Sequence, residues 1–188
     1  DDLQPPTTCM ILRGLKDIAE RDPEFSLVGL LPEADVPEHV KNGFLWSASV
    51  PGAPDETLVA GTRMNGADCS DADQLTAAEM EGRRQARAIC DVLRSKYGRE
   101  GWTPLSALPA NIGIRETRIA SCRHTLTEDE ILNGVRFPDA IANGSYRVDV
   151  HHSDKPGLTF RYLDGSQVYV VPGQGRTDSR WREERDDW

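Results

Sequence analysis

With 188 residues, a net charge of -9, 38% hydrophobic and 28% charged side chains, the chain has the composition of a soluble globular domain large enough to bury its own core. No apolar run reaches the roughly 18 residues a membrane-spanning helix needs, and no basic stretch followed by an apolar one opens the chain as a signal peptide would. The acidic balance, with arginines dispersed among acids, is the wrong electrostatics for a nucleic-acid phosphate backbone. The first residue is Asp1 rather than Met, which reads as processing or excision from a longer protein.

Taken in chain order, Thr7 to Leu15 reads as a strand. Asp17 to Val40 reads as an irregular excursion broken by Pro23, Pro32 and Pro37. Gly43 to Val50 and Thr57 to Arg63 are predicted strands joined through "PGAPDE", hence an antiparallel hairpin. A long helix is expected from Thr76 to Tyr97: Thr76 with Glu79 forms a capping box, Leu75 and Met80 a hydrophobic staple, and Gly98 the stop. Its buried stripe is expected at Met80, Ala86, Ile89, Cys90 and Leu93. Acids open this helix (Glu79, Glu81) and bases close it (Arg94, Lys96), as the helix dipole favours.

"LPANIGIRETRI", Leu108 to Ile119, reads as a strand with charges on both faces, since Glu116 and Arg118 share one face and Arg115 lies on the other. A second capping box, Thr127 with Glu130, starts a short helix ending near Gly134, with Leu126 stapled to Ile131. Pro138 is expected to begin another short helix through Ala142. "SYRVDVHH", "LTFRYL" and "QVYVV" read as strands, the last two turning at Asp164-Gly165. Strands and helices arrive in separate runs, so the expected fold class is α+β: a mixed, largely antiparallel sheet with helices packed on one face. Residues 1–175 are expected to form one domain, followed by a polar tail at 176–188 with little to bury except Trp181 and Trp188.

Chemical motifs are sparse. Cys9, Cys69, Cys90 and Cys122 are far apart and include no C-x-x-C, so neither a structural zinc site nor any other metal is expected. Four cysteines allow three pairings, among which spacing does not choose. Free thiols are the preferred expectation, because Cys9 and Cys90 sit in apolar contexts. "PGQGRTDS" contains a lone G-x-G with no third glycine and no helix behind it. His151 and His152 are adjacent on a strand, point to opposite faces and cannot readily share a metal.

The stretches "LPANIGIRETRI" and "LTEDEILNGVRFPDAIANGSYRVDVH" resemble the middle region of a bacterial family of FAD-dependent oxidoreductases. The family pattern G-x-R-E-[ST]-R is met by Gly113, Arg115, Glu116, Thr117 and Arg118. It continues through Leu126, Thr127, Phe137, Asp139, Ile141, Gly144, Tyr146, Asp149 and His151. "TRMNGADCSDADQLTAAEMEGRRQA" and "LQPPTTCMILRGL" are similar to upstream parts of the same family. This chain departs from the pattern at Ser121-Cys122-Arg123-His124, where the family has G-D-Y, and it lacks both the G-x-G-x-x-G turn and the C-terminal A-G-R-like segment.

The resemblance implies a substrate-binding domain that positions a small molecule for hydride transfer to FAD. The partner would be the FAD-binding domain of the same longer chain, and the fragment alone would be inactive and would not retain FAD. It also implies Arg115, Arg118 and His151 as catalytic candidates and Gly113 with Arg115 as the cofactor-side pair. The arginines would orient an anionic substrate or stabilise charge on the reduced flavin. A structural ion-pair network of Arg115, Glu116 and Arg118 is the competing reading of the charged strand. A carbohydrate-binding module stacking sugars on Trp181 or Trp188 is the competing reading of the chain.

Overall fold

The computed structural model describes residues 3–41, 45–98, 102–144, 146–152 and 157–171. The fold is α+β, as expected, but its strands form two separate antiparallel sheets rather than one mixed sheet. The first has the order β2-β3-β1-β4, made from Trp46–Val50, Ala53–Ala60, Met10–Arg13 and Leu105–Ala107. Strand β1 alternates cleanly: Met10 and Leu12 are buried while Arg13 reaches solvent and pairs with Glu56 at 3.0 Å. Its register against β3 sets Met10 opposite Val59 and Leu12 opposite Thr57.

Helices cover the inward face of this sheet. After α1 (Leu15–Arg21) the prolines do break regular structure, yet the excursion is not idle. A 3-10 turn at Val28–Glu33 and the single turn α2 (Glu38–Lys41) insert Leu30, Leu31 and Val40 into the core, together with Ile18 of α1. The long helix α3 (Ala72–Tyr97) closes that core with Ala86, Ile89, Cys90 and Leu93.

Helix α3 corrects two expectations. It starts one turn before Thr76, because Asp71 is an equally good cap and accepts from the Asp73 and Gln74 N–H groups at 3.1 and 2.9 Å. The Thr76 hydroxyl instead bonds back to the Ala72 carbonyl at 2.9 Å, and Glu79 accepts from the Ile112 N–H at 2.6 Å, so the expected box is not formed. Met80 is 70% exposed rather than buried. Thirteen residues before Leu93, it lies roughly 220° around the helix from the buried stripe, which removes the expected staple with Leu75. Gly98 does close the helix, its N–H bonded to the Arg94 carbonyl at 2.9 Å.

On the inner face of α3, Gly82 permits a close approach. A Cβ there would stand 2.1 Å from Thr8 Oγ1, 3.0 Å from Thr8 Cβ and 3.1 Å from Met64 Cε. Alanine would gain about 1 kcal/mol in helix propensity, while overpacking of this kind costs about 1–3 kcal/mol. Gly82→Ala is therefore expected to lower the urea midpoint, with part of the loss restored in a Thr8→Ala background. A Gly82→Ala protein more stable than the parent would show that the helix does not approach Thr8 so closely.

The second sheet is β5-β6-β7, from Val148–His151, Leu158–Arg161 and Gln167–Val170, around a small core of Leu158, Phe160 and Val170. The expected turn at Asp164-Gly165 joins β6 to β7, with Gly165 at φ 80 and its N–H on the Tyr162 carbonyl. Before this sheet, α4 (Glu128–Leu132) carries the expected Thr127–Glu130 capping box. The helix expected at Pro138 is only a turn, closed by Ala140 N–H on the Phe137 carbonyl, and Ile141 is fully exposed. A proline suits a first helical turn, but this segment has no apolar face to bury and so nothing propagates the turn.

All four cysteines are free, and burial pushes the Cys90 thiol up to about 11. Among the described residues no helix is long and apolar enough to cross a membrane.

Candidate functional site

The chain leaves β3 at Ala60 and runs beside the N-terminal segment without forming a regular strand. Two side chains take over the pairing there. Thr62 Oγ1 accepts from the Thr8 N–H at 2.9 Å and donates to the Thr8 carbonyl at 2.8 Å, with both residues buried. Gln85 of α3, 0% exposed, does the same for Arg63: its Oε1 accepts the Arg63 N–H at 3.1 Å and its Nε2 donates to the Arg63 carbonyl at 3.1 Å. His39 Nε2 reaches that carbonyl as well, at 3.1 Å. The backbone of Arg63 is thus held by three hydrogen bonds from two side chains.

The other side of the N-terminal segment holds "LPANIGIRETRI". It is not a strand: among its residues only Gly113 makes a bridge, with Thr7, through two backbone bonds of 3.0 and 2.8 Å. Ile112 anchors it in a cluster with Met64, Cys69 and Ala78, and Glu116 accepts the Gln4 N–H at 2.8 Å. Beyond Ile112 the segment is almost wholly exposed. Charges at Arg115, Glu116 and Arg118 need no sheet face, which resolves their awkward alternation. Gly113 admits a backbone, that of Thr7, whose carbonyl would stand 3.1 Å from an added Cβ.

This arrangement brings Arg63 into the electrostatic reach of both Arg115 and, on β5, Asp149. Burial and then the Arg115 charge lower the Arg63 pKa, and Asp149 opposes them. Arg118 lies near Asp68, whose carboxyl is lowered by the Ser70 hydroxyl and N–H and then by Arg118. Both predicted arginines therefore border the 62–70 loop. His151 ends β5, with its side chain outside the described residues. His152 turns to Thr159 Oγ1 at 2.7 Å and sits edge-on to Tyr169. The G-x-G of "PGQGRTDS" and both tail tryptophans lie outside the described residues. Arg63, Gln85 and His39 escaped the sequence reading. The one available signal was Gln85, a polar residue inside the apolar spacing of α3.

An open pocket of about 350 Å³ lies between α2, residues 63–67 and the first half of α3, with Arg63, Met64 and Glu81 in its wall. Among the described residues no group of three His, Cys, Asp or Glu could hold a metal.

The α-helix N-termini of the described residues carry the chain's own acids, whereas the 3-10 turn at Val28–Glu33 carries none. Asp71 caps α3, Glu128, Asp129 and Glu130 open α4, and Asp17 and Glu38 lie in the first turns of α1 and α2. An acid-free first turn, which favours a diphosphate, is absent from these α-helices. Among the described residues, seven of the eleven large hydrophobic side chains left exposed lie between Ile114 and Tyr146. That concentration makes this segment, of those described, the one least covered by the core.

No curated protein and no solved structure matches the chain. A family model described as FAD dependent oxidoreductase matches residues 16–174 of the 188. The match runs from α1 through β7 and takes in Arg63, Arg115, Arg118 and Asp149, so the chain belongs to the FAD dependent oxidoreductase family.

Proposed function

We propose that this chain is the substrate-side portion of an FAD-dependent oxidoreductase, inactive by itself, which holds a small anionic substrate while other residues of the protein hold the flavin. The family implies FAD, but the described residues do not fit its diphosphate, since their α-helix N-termini carry carboxylates and no glycine-rich turn precedes them. The observation that carries the reading is the segment Ile114 to Tyr146. It is pinned at Gly113 and Glu116, keeps Arg115 within electrostatic reach of Arg63, and leaves its apolar side chains without cover from the core. A flavin-binding domain of the same protein is the partner that would cover it.

In this reading Arg115 binds substrate charge through its planar fork, and Arg118, beside Asp68, positions the loop. His151 is the candidate base, an imidazole being suited to proton transfer near neutral pH. Gly113 acts by seating the segment on Thr7.

The test is stopped-flow flavin reduction in the flavin-loaded protein that contains this chain. Arg115→Ala is expected to raise KM or slow reduction by about tenfold or more, equivalent to about 1.4 kcal/mol, and Arg115→Lys to recover only part. His151→Gln is expected to slow reduction without releasing flavin. Parental rates in Arg115→Ala, Arg118→Ala and His151→Gln alike would make these residues structural and end the proposal.

A further inference from the structure

Strand β2 (Trp46–Val50) is the longest of the described strands that lie at a sheet edge, and among the described residues β3 alone pairs with it. Trp46, Ser47, Ala48 and Ser49 are all exposed, so β2 stands clear of the core on both faces, with Trp46 at 55%. Edges of this kind are ordinarily blunted by a charge, a proline within the strand or a covering segment. The sequence WSASV has neither charge nor proline, and no described residue covers it.

The bulge in this hairpin lies on the β3 side, where the single step from Ser49 to Val50 spans Thr57 to Ala53. Strand β2 itself runs uninterrupted, with Trp46, Ala48 and Val50 on one face and Ser47 and Ser49 on the other. The first face continues through Leu58, opposite Ala48, to Ile11 on β1, both half-buried. It is the face turned away from the helices, since Met10, Leu12 and Val59 point into the core.

This strand is complementary to itself. Antiparallel pairing with a second β2 about a two-fold axis at Ala48 sets Trp46 opposite Val50 of the second copy, twice over, and Ser47 opposite its Ser49. An aromatic side chain opposite a β-branched one is a favourable cross-strand pair, and like charges directly opposite are unfavourable. The row Ile11, Leu58, Ala48 would run on without a break into the same row of the second copy. Charge selects the same strand. Two chains of net charge -9 repel over most of their surfaces, whereas β2 is uncharged along its whole length. The other described edges are shorter, three residues in β4 and four in β5 and β7, and β5 carries Asp149.

We infer that β2 is a homodimerisation edge, on which a second copy of this chain lays its own β2 antiparallel about Ala48. The two four-stranded sheets become one continuous sheet. The dimer needs no flavin and does not depend on the substrate-side reading.

The experiment is sedimentation equilibrium of the 188-residue chain at concentrations up to about 0.5 mM, where an interface of this small size is populated. The parent is compared with Ala48→Lys, Ala48→Glu and Trp46→Ala. Both positions are exposed, so the core is undisturbed, and circular dichroism confirms folding. The parent is expected to dimerise. Each charged variant places like charges on the axis and is expected to weaken the dimer by about tenfold or more, whereas an equimolar mixture of the two places opposite charges there and is expected to restore it to within a few-fold of the parent. Trp46→Ala adds no charge and is expected to weaken the dimer several-fold through loss of both Trp–Val pairs. A parent that stays monomeric at about 0.5 mM would overturn the inference and leave this edge to another segment of the protein or to water. A dimer untouched by both charged variants would put the interface elsewhere, and a folded mixture that stays monomeric would rule out two-fold pairing at Ala48.

Discussion

Leu93→Ala is expected to lower the thermal midpoint by roughly 5–15 °C, whereas Arg87→Ala, six residues earlier on the same helix, should leave it nearly unchanged. Leu93 is 0% exposed and closes the main core against Leu30, Leu31 and β1. Truncating such a leucine removes its transfer free energy and leaves a cavity, together about 2–5 kcal/mol. The Arg87 side chain is 81% exposed and stands 3.8 Å from Asp91. An exposed pair of this kind contributes well under about 1 kcal/mol. Equal effects of the two changes, measured by calorimetry, would mean that α3 packs on the sheet through a different face.

Thr62→Val is expected to cost about 2–4 kcal/mol although it conserves shape and is itself fully buried. The hydroxyl serves both backbone groups of Thr8, at 2.9 and 2.8 Å, and Thr8 is only 1% exposed. Valine leaves a buried N–H and a buried carbonyl without that partner, at about 1–3 kcal/mol for each group. Thr62→Ser keeps the hydroxyl and loses a methyl, about 1 kcal/mol by area, so serine should recover much of the loss in urea unfolding. If valine and serine behave alike, the methyl rather than the hydroxyl holds the two segments together. The position matters for the site, since Thr62 and Gln85 together fix where Arg63 stands.

Features governed by local chemistry were legible in the sequence. The Thr127–Glu130 box, the stop at Gly98 and the turn at Asp164-Gly165 each depend on a few neighbouring residues, and each formed. The hairpin of β2 and β3 formed too, on a tighter turn at Pro51-Gly52 than the six residues quoted for it.

Competition between equivalent signals was less legible. Asp71 and Thr76 are both good caps, and the earlier one adds a turn of helix. The 17–40 stretch has no period, so its prolines showed the breaks while nothing showed that Leu30, Leu31 and Val40 are core. At the candidate site the arginines were visible as an oddity of "GIRETR". Their partner Arg63 was not, because Gln85 reaches it across 22 positions of sequence and Thr62 reaches Thr8 across 54. Contacts of that range leave no mark on a single local pattern.

In the proposed function this chain serves the flavin without holding it. Its most direct test is to equilibrate the folded 188-residue chain with excess FAD, pass it through gel filtration, and read visible flavin absorbance across the protein peak. A colourless peak is expected, because the N-termini of the α-helices carry carboxylates where a diphosphate would need free N–H groups. A yellow peak carrying one flavin per chain would contradict the account, since these residues would then form a cofactor site of their own.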